Sequence, residues 1–319
     1  MRRALCVGID EYAVGSLQAC ADDANRVADI LAKNHDGSPN FDCRCLTAPL
    51  GSTLTVITRT SLRKAIDELF RSKADIALLH FSGHGTVNNL DGYLVTQDAK
   101  KYDEGVAMGD VLKWANDSKA DEVVILLDCC FSGQLGAVPA IDNSKALLRE
   151  GVSILTASRS DQPSVEDGGG GLFTSLVIDA LSGGAADVLG AVTATSIYSY
   201  VEAALGAWDQ RPLFKSHVAQ LVPLRNCEPP IDRALLRRLP ALFPLPAEDI
   251  PLDPSYESTS ENANPAHVEV FRELQQLSRV HLVIPCDTPH MYEAAIGSKA
   301  CKLTPSGRYY WRLASGNRI

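Results

Sequence analysis

The sequence predicts an α/β fold in which a mostly parallel sheet is flanked by helices. Three features of the first 220 residues of this 319-residue chain lead to that prediction. Short apolar runs recur at intervals, amphipathic stretches separate them, and the runs have the length of strands. Strands that alternate with helices in this way form parallel sheets covered by helices on both faces.

The predicted strands are the apolar runs at residues 4–9, 76–81, 123–127 and 152–157. The runs IALLHF at 76–81 and VVILL at 123–127 are almost uninterrupted by polar residues. A strand that is buried on both faces needs such continuous apolar character, so we expect both runs at the centre of the sheet.

The predicted helices are stretches in which apolar residues recur at helical spacing: 21–33, 62–70, 108–116, 172–181 and 196–205. This spacing gathers the apolar side chains on one side of each helix. We therefore expect these helices to pack against the two faces of the sheet.

Composition changes after about residue 221, where eight of the 17 prolines fall between Pro223 and Pro254. Proline at this density disfavours regular helices and central strands. We therefore predict a domain at 1–222, a proline-rich linker at 223–264, and a small C-terminal module at 265–319. Two helix-like stretches around a short apolar run predict a winged-helix-like or small α/β module.

Charge and cysteine content limit the partners and the location of the protein. The formal net charge is −9, and an acidic chain is a poor general ligand for nucleic acid. No run approaches the ~20 apolar residues of a membrane span. The nine cysteines are odd in number, and the apolar run after Arg3 is too short for a signal peptide. We therefore predict a cytoplasmic protein with reduced thiols and no membrane span.

Two segments carry reactive side chains directly after the strongest apolar runs. His84 lies in the sequence Ser-Gly-His-Gly at 82–85, and Cys130 lies in Asp-Cys-Cys-Phe-Ser-Gly at 128–133. The carboxyl ends of parallel strands meet at one edge of a sheet, so both segments should meet there. Cys130 can attack a carbonyl carbon, and His84 can exchange the protons. The backbone N–H groups of Gly85 and Cys130 are the candidate donors to an oxyanion.

These segments resemble motifs of the caspase and metacaspase clan, including prokaryotic caspase-like proteases. Residues 82–85 match the Ser-Gly-His-Gly motif, and residues 128–133 match the metacaspase motif Asp-Ser-Cys-His-Ser-Gly. Cys129 replaces the serine and Phe131 replaces the histidine of that motif. The separation of 46 residues between His84 and Cys130 is similar to the offset of roughly 50 in caspases.

Two further stretches carry the same resemblance. The opening ALCVGIDEY at 4–12, with ADDA at 21–24, resembles the first strand and helix of the clan. DQPS at 161–164, followed by GLFT at 171–174, resembles a downstream stretch. The resemblance covers about residues 1–220. It implies a caspase-hemoglobinase-like sheet and a cysteine-type endopeptidase that needs no cofactor or metal for its chemistry.

Neighbouring residues of the two motifs leave alternatives open. Side chains alternate along an extended segment, so Cys129 should point away from His84 and is predicted to be a core thiol. His80 lies inside an apolar run and is predicted to be a core histidine. Cys130 and His84 could themselves be structural, as a buried thiol and a loop histidine.

The substrate preference is predicted from two carboxylates. Asp128 lies two residues before Cys130, and the resemblance matches Asp161 to the second acidic position of the metacaspase pocket. Two carboxylates in a pocket would bind Arg, and less well Lys, before the scissile bond. The alternatives are a structural carboxylate at Asp128 and a turn residue at Asp161.

The C-terminal module weakly resembles modules attached to bacterial defence effectors. Its last segment holds the candidate signal-binding residues Arg308, Tyr309, Tyr310, Trp311 and Arg312. Aromatic and arginine side chains together can stack on a nucleotide and neutralise its charge. The alternative is that the aromatic residues form the core of the module.

Three functions are consistent with these features. The first is a cysteine endopeptidase for proteins with basic residues at the cleavage site, acting in bacterial antiphage defence or programmed cell death. The second is a catalytically idle caspase-like binding or scaffold module. The third is a protease released by a signal, such as Ca²⁺, a nucleotide or an upstream sensor protein.

Overall fold

A computed structural model describes residues 1–13, 15–52, 56–88, 91–101, 103–129, 148–157, 166–167, 170–205 and 212–319 of the chain. The chain divides into two compact units. The first comprises 1–186 and 191–228, and the second comprises 187–190 and 229–319.

The main sheet of the first unit has six strands in the described residues. They are β1 (Arg2–Ile9), β2 (Phe41–Ala48), β3 (Ile76–Ser82), β7 (Glu122–Asp128), β8 (Val152–Thr156) and β12 (Leu213–His217). Their order is β12-β8-β7-β3-β1-β2, and only the β12–β8 pair among them is antiparallel. The predicted α/β class, with a mostly parallel sheet, is thereby confirmed. The run at 76–81 is fully buried in β3 at the centre, as predicted.

Short strands complete this unit. A separate antiparallel sheet is formed by β4 (Gly85–Val87), β5 (Gly92–Lys100) and β6 (Asp103–Ala107). Two-residue strands are β9 (Glu166–Asp167), β10 (Gly170–Gly171), β11 (Ala191–Val192) and β13 (Arg225–Asn226).

Helices cover both faces of the main sheet. They are α1 (Cys20–Ala32), α2 (Arg59–Arg71), α3 (Met108–Asn116), α4 (Leu172–Asp179) and α5 (Ala194–Leu205). Helices α2 and α3 bury their apolar faces in one core with β4–β6 side chains. Helices α1, α4 and α5 form the other core. A π-helical turn, Ala180–Gly184, follows α4.

The second unit has its own core and a three-stranded sheet. Its helices are α6 (Arg233–Arg237), α7 (Leu239–Leu242), α8 (Pro265–Arg279), α9 (Met291–Ile296) and α10 (Pro305–Ser315). A 3₁₀ turn spans Pro254–Tyr256. Its strands are β14 (Ile250–Pro251), β15 (Val283–Pro285) and β16 (Ala300–Leu303), in the order β14-β16-β15.

The predicted linker at 223–264 differs from the structure. Leu236 and Phe243 from this stretch are almost fully buried in one core with Phe271 and Leu274 of α8. Two of the prolines, Pro240 and Pro254, lie in the first turn of α7 and of the 3₁₀ turn, where the missing N–H has no helical partner. Folded structure of the second unit therefore begins near residue 229 instead of residue 265.

None of the helices in the described ranges is both long enough and apolar enough to cross a membrane.

Candidate active site

The carboxyl ends of β3 and β7 lie side by side. Ser82, the last residue of β3, is in register with Asp128, the last residue of β7. The Gly83 N–H donates to the carbonyl of Asp128 over 3.2 Å, which extends the pairing one residue past β3. His84 follows one residue later, so both predicted motifs begin at this edge of the sheet.

The loop after β1 holds the ring of His84. Nε2 of His84 lies 2.8 Å from the carbonyl oxygen of Gly15. Since a carbonyl oxygen only accepts hydrogen bonds, Nε2 carries the proton, and the lone pair of the neutral ring is on Nδ1. Nδ1 is therefore the atom of His84 that can take a proton from a nucleophile.

Tyr12, on the same loop, holds the backbone of His84. The Tyr12 hydroxyl accepts from the His84 N–H over 3.1 Å and donates to the Val95 carbonyl over 3.5 Å. The rings of Tyr12 and His84 are 4.7 Å apart. A Cβ at Gly83 would lie 2.4 Å from the Tyr12 hydroxyl, so a side chain there would displace it. This explains the glycine that precedes the histidine.

Gly85 begins β4, and its pairing fixes the direction of its N–H. Gly85 is in register with Leu94, while the Val95 N–H donates to the His84 carbonyl. Gly85 and Leu94 therefore form a non-hydrogen-bonded pair of the antiparallel ladder. In such a pair the N–H groups point away from the partner strand, so the Gly85 N–H is not used by β5.

Cys130, the predicted nucleophile, lies outside the described residues. Cys129, which precedes it, is 3% exposed and packs in the same core as Phe81 and Leu127. Cys129 thus lies in the core, as predicted. His80 is also fully buried, and burial lowers its pKa to about 4, so its ring is neutral.

Asp128 is buried and faces α4. Its Oδ2 accepts from the hydroxyl of Thr174 over 2.6 Å and from the Thr174 N–H over 3.2 Å. His80 Nε2 lies 3.4 Å from the same hydroxyl, whose proton is used by Asp128. A chain of hydrogen bonds therefore runs from His80 through Thr174 to Asp128 and fixes that carboxylate.

A second carboxylate, which the sequence reasoning missed, lies beside Asp128. Asp23 of α1 is 1% exposed, and its Oδ2 accepts from the Gly171 N–H over 2.9 Å. A Cβ at Gly171 would lie 2.4 Å from Oδ2 of Asp128 and 3.2 Å from Oδ2 of Asp23. Gly171 thus separates the two acids, which we call the carboxylate pair. The other predicted acid, Asp161, lies outside the described residues.

Burial controls the protonation of the carboxylate pair. Burial raises the pKa of Asp23 to about 6; Asp128 raises it too, whereas the Gly171 N–H and Arg26 oppose the shift. Burial also raises the pKa of Asp128, against the hydrogen bonds from Thr174. The charged forms are therefore costly, and a cation in contact with both carboxylates would stabilise them.

The signal that could have identified Asp23 is in the sequence. Asp22 and Asp23 stand together in the ADDA stretch, and only one of them can face the sheet from a helix. Asp10 fixes the start of that helix, because its carboxylate accepts from the N–H groups of Cys20 (2.7 Å) and Ala21 (3.3 Å). Asp22 is exposed and Asp23 is buried.

The candidate signal-binding residues lie on α10 and differ in exposure. Trp311 donates its ring N–H to the carbonyl of Phe243 over 2.7 Å, and Tyr310 packs against the core of the unit. Arg308, Tyr309 and Arg312 are exposed. Two of the three aromatic residues therefore contribute to packing within the second unit.

Two acidic side chains, Asp98 and Asp103, both contact Arg59. Asp98 accepts from the Arg59 N–H over 2.8 Å, and Asp103 pairs with the Arg59 guanidinium. Among the residues that the structure describes, no group of three or more His, Cys, Asp or Glu side chains is arranged to hold a metal ion.

Comparison with known proteins identifies the family of the chain. The caspase domain of the peptidase C14 family matches residues 1–222. Among solved structures, caspase-1 from Spodoptera frugiperda is similar, with a TM-score of 0.49 and 13% identity over 71% of this chain and 90% of that chain. No curated protein matches the chain in sequence. Since the family match spans more than half of its residues, the chain belongs to the caspase family.

Proposed function

We propose that the protein is a cysteine endopeptidase that cleaves proteins after Arg, and less well after Lys. The observation that carries the proposal is the pairing of β3 with β7. It sets the carbonyl of Asp128 3.2 Å from the nitrogen of Gly83, with a histidine following one strand and a cysteine the other. Membership of the caspase family supports the same reaction class.

In the proposed reaction, Nδ1 of His84 takes the proton of the Cys130 thiol. The thiolate attacks the carbonyl carbon of the substrate, and the oxyanion accepts from the N–H groups of Gly85 and Cys130. His84 then gives its proton to the leaving amine as the peptide C–N bond breaks. Water hydrolyses the remaining thioester and regenerates the thiol.

The ring of His84 is prepared for this role by its neighbours. The Gly15 carbonyl fixes the tautomer and stabilises the imidazolium that forms when Nδ1 is protonated. The Tyr12 hydroxyl fixes the backbone to which the ring is attached. Both contacts come from the loop after β1, so this loop orients the proposed base.

The proposed preference for Arg rests on the carboxylate pair. A guanidinium in contact with Asp23 and Asp128 could donate to both and would offset the cost of two buried negative charges. Lys carries one compact charge and lacks the planar set of N–H donors of a guanidinium, so a peptide that ends in Lys is the poorer substrate. Asp161 remains a proposed third acid of this pocket.

The proposed biological role is that of a regulated effector in bacterial antiphage defence or programmed cell death. It rests on the family resemblance and on the second folded unit. A nucleotide signal, Ca²⁺ or a sensor protein is the proposed activator. The exposed residues Arg308, Tyr309 and Arg312 are the ones available for a nucleotide, since Trp311 is engaged by Phe243.

The proposal is tested with purified full-length protein and fluorogenic peptides that end in Arg, Lys or Asp. We expect hydrolysis in the order Arg, Lys, Asp, with or without added Ca²⁺ or nucleotides, and none from Cys130→Ala or His84→Ala. Cys129→Ala serves as the matched control and should retain activity.

Two outcomes would contradict the proposal. Cleavage after Asp alone would disprove the role of the carboxylate pair. No hydrolysis of any peptide under any addition, with intact folding, would favour the idle binding module.

A separate test concerns the activator. Loss of nucleotide stimulation in Tyr309→Ala, but not in Tyr292→Ala at another exposed tyrosine, would assign the signal site to α10.

A further inference from the structure

A cleft of about 420 Å³ opens beside His84 and Gly85. It is lined by the first residues of β4, including Thr86, and by the β5–β6 hairpin, whose strand β5 pairs with β4. This volume lies within the range of sites that bind small ligands or single side chains. The cleft shares His84 with the proposed catalytic pair but does not include the carboxylate pair.

The lining of the cleft is apolar at its base and charged at its rim. Val95 is 6% exposed and Ala99 is half-buried, so they form the apolar part. Lys100 and Lys101 are exposed, and Glu104 is half-buried. Two cationic side chains against one carboxylate give this cleft an excess of positive charge.

The cleft and the carboxylate pair belong to opposite sides of the sheet. Val95 packs in the core that contains α2 and α3. Asp128 faces Thr174 of α4, and α4 belongs to the other core. His84 lies at the edge between the two sides.

The proton-transfer step determines which part of a substrate would lie on each side of the main sheet. The residue before the scissile bond, held by the carboxylate pair, stays on the enzyme as the thioester. The amine that leaves must receive its proton from His84, so the residue that carries this amine passes next to the imidazole. The cleft that begins at His84 is the space available to it.

We propose that this cleft binds the residue that follows the scissile bond and favours Asp or Glu at that position. The inference rests on the proposed endopeptidase function and adds a second determinant of specificity to it. The preferred cleavage site would then be a basic residue followed by an acidic one. Lys100 is the proposed main determinant, and Glu104 opposes it.

The expected preference is modest, because both lysines are exposed to solvent. An exposed ion pair changes binding by about two- to fivefold.

The measurement uses internally quenched peptides that differ only after the arginine, Arg-Glu against Arg-Gln and Arg-Asp against Arg-Asn. Each pair has the same shape, so the ratio of kcat/KM values reports charge alone. We expect the wild-type protein to favour the acidic member by about two- to fivefold at low salt. High salt should bring the ratio towards one.

Two substitutions in the cleft give opposite predictions. Lys100→Glu should invert the ratio, whereas Glu104→Gln should increase it. The matched control is Lys73→Glu, since Lys73 is exposed and precedes β3 at the other end of that strand. It makes the same change of charge and should leave the ratio unchanged.

The outcomes separate this inference from the function on which it rests. A wild-type ratio of one or less, or a ratio that Lys100→Glu does not lower, would overturn the acidic preference. An Arg-aminocoumarin peptide has no residue after the arginine, so its hydrolysis tests the endopeptidase alone. If that peptide is cleaved and the wild-type ratio of kcat/KM values is one, only the inference fails. If it is not cleaved, both fail.

Discussion

The hydrogen bond between Tyr12 and His84 takes the place of one backbone hydrogen bond of the β4–β5 ladder. The His84 N–H would ordinarily donate to the Val95 carbonyl across the ladder. Instead it donates to the Tyr12 hydroxyl, which lies between the two and donates in turn to Val95. Burial raises the pKa of Tyr12 well above its usual value, so the hydroxyl keeps its proton at neutral pH.

Tyr12→Phe should therefore lower kcat more than it changes KM for an Arg-ending peptide. The ring remains, but the His84 N–H loses its acceptor, which costs about 1–3 kcal/mol for a buried donor. A kcat about tenfold lower is expected if about 1.4 kcal/mol of that cost appears as displacement of His84. Tyr292→Phe is the control, because Tyr292 is 51% exposed. A rise in KM with unchanged kcat would assign Tyr12 to substrate binding instead.

Gly171→Ala should damage the carboxylate pair. Its new Cβ would lie 2.4 Å from Oδ2 of Asp128, so a carboxylate or the backbone has to move. We expect a loss of about 1–3 kcal/mol in the free energy of unfolding and a raised KM for Arg-ending peptides. Gly316→Ala is the control, because its nearest contact would be at 3.3 Å and its φ is −90°. Unchanged stability and KM in Gly171→Ala would show that this approach is not close in solution.

The raised pKa of Asp23 predicts how stability depends on pH. Burial raises this pKa from 3.8 to about 6, so between these values the folded protein binds a proton that the unfolded chain has lost. The free energy of unfolding should therefore fall as pH rises from about 4 to 6. Asp23→Asn removes the cost of the buried charge and should stabilise the protein at pH 8 by about 1–3 kcal/mol, with little gain below pH 4.

The same substitution should weaken binding of the basic substrate. In the wild type, the KM for an Arg-ending peptide should rise as pH falls through 6, because Asp23 becomes protonated. In Asp23→Asn, KM should be high and should lack this rise. Asp22→Asn is the matched control, since Asp22 is the exposed neighbour. Greater stability with unchanged KM would remove Asp23 from the specificity pocket.

Substitutions of the two adjacent cysteines should have different effects on stability and activity. Cys129→Ala removes a buried sulfur from the core and should cost about 1 kcal/mol of stability while kcat/KM stays within about threefold. Cys130→Ala should abolish hydrolysis without loss of stability. Loss of activity in Cys129→Ala, at a temperature where it remains folded, would contradict the assignment of the nucleophile.

The central strands were predictable because their evidence is local. The runs at 76–81 and 123–127 are continuous and apolar, and each is followed by its motif. Strand β2, Phe41–Ala48, was not predicted because it lies at the edge of the sheet and alternates with polar residues such as Asp42 and Arg44. An edge strand needs less apolar character than a central one.

The missed parts of the site depend on contacts between distant residues. Asp23 becomes part of a pair only through Gly171, which is 148 residues away, and Tyr12 reaches His84 across 72 residues. Neither of these long-range contacts is reflected in a periodic pattern of the sequence. The misplaced domain boundary is different, because the apolar residues Leu235, Leu236 and Leu239 were visible among the prolines. Their helical spacing favours a helix there, whereas proline content alone does not.

The β3–β7 pairing also has a consequence for when the protein can act. His84 and Cys130 are 46 residues apart, and the segment between them includes the β4–β6 sheet and α3. The parallel pairing closes a loop of this length, and this closure costs conformational entropy before the contact forms. Under the proposed mechanism, a chain emerging from the ribosome would therefore lack peptidase activity until synthesis had passed Cys130. The order of synthesis would thus protect the nascent chain from premature proteolysis.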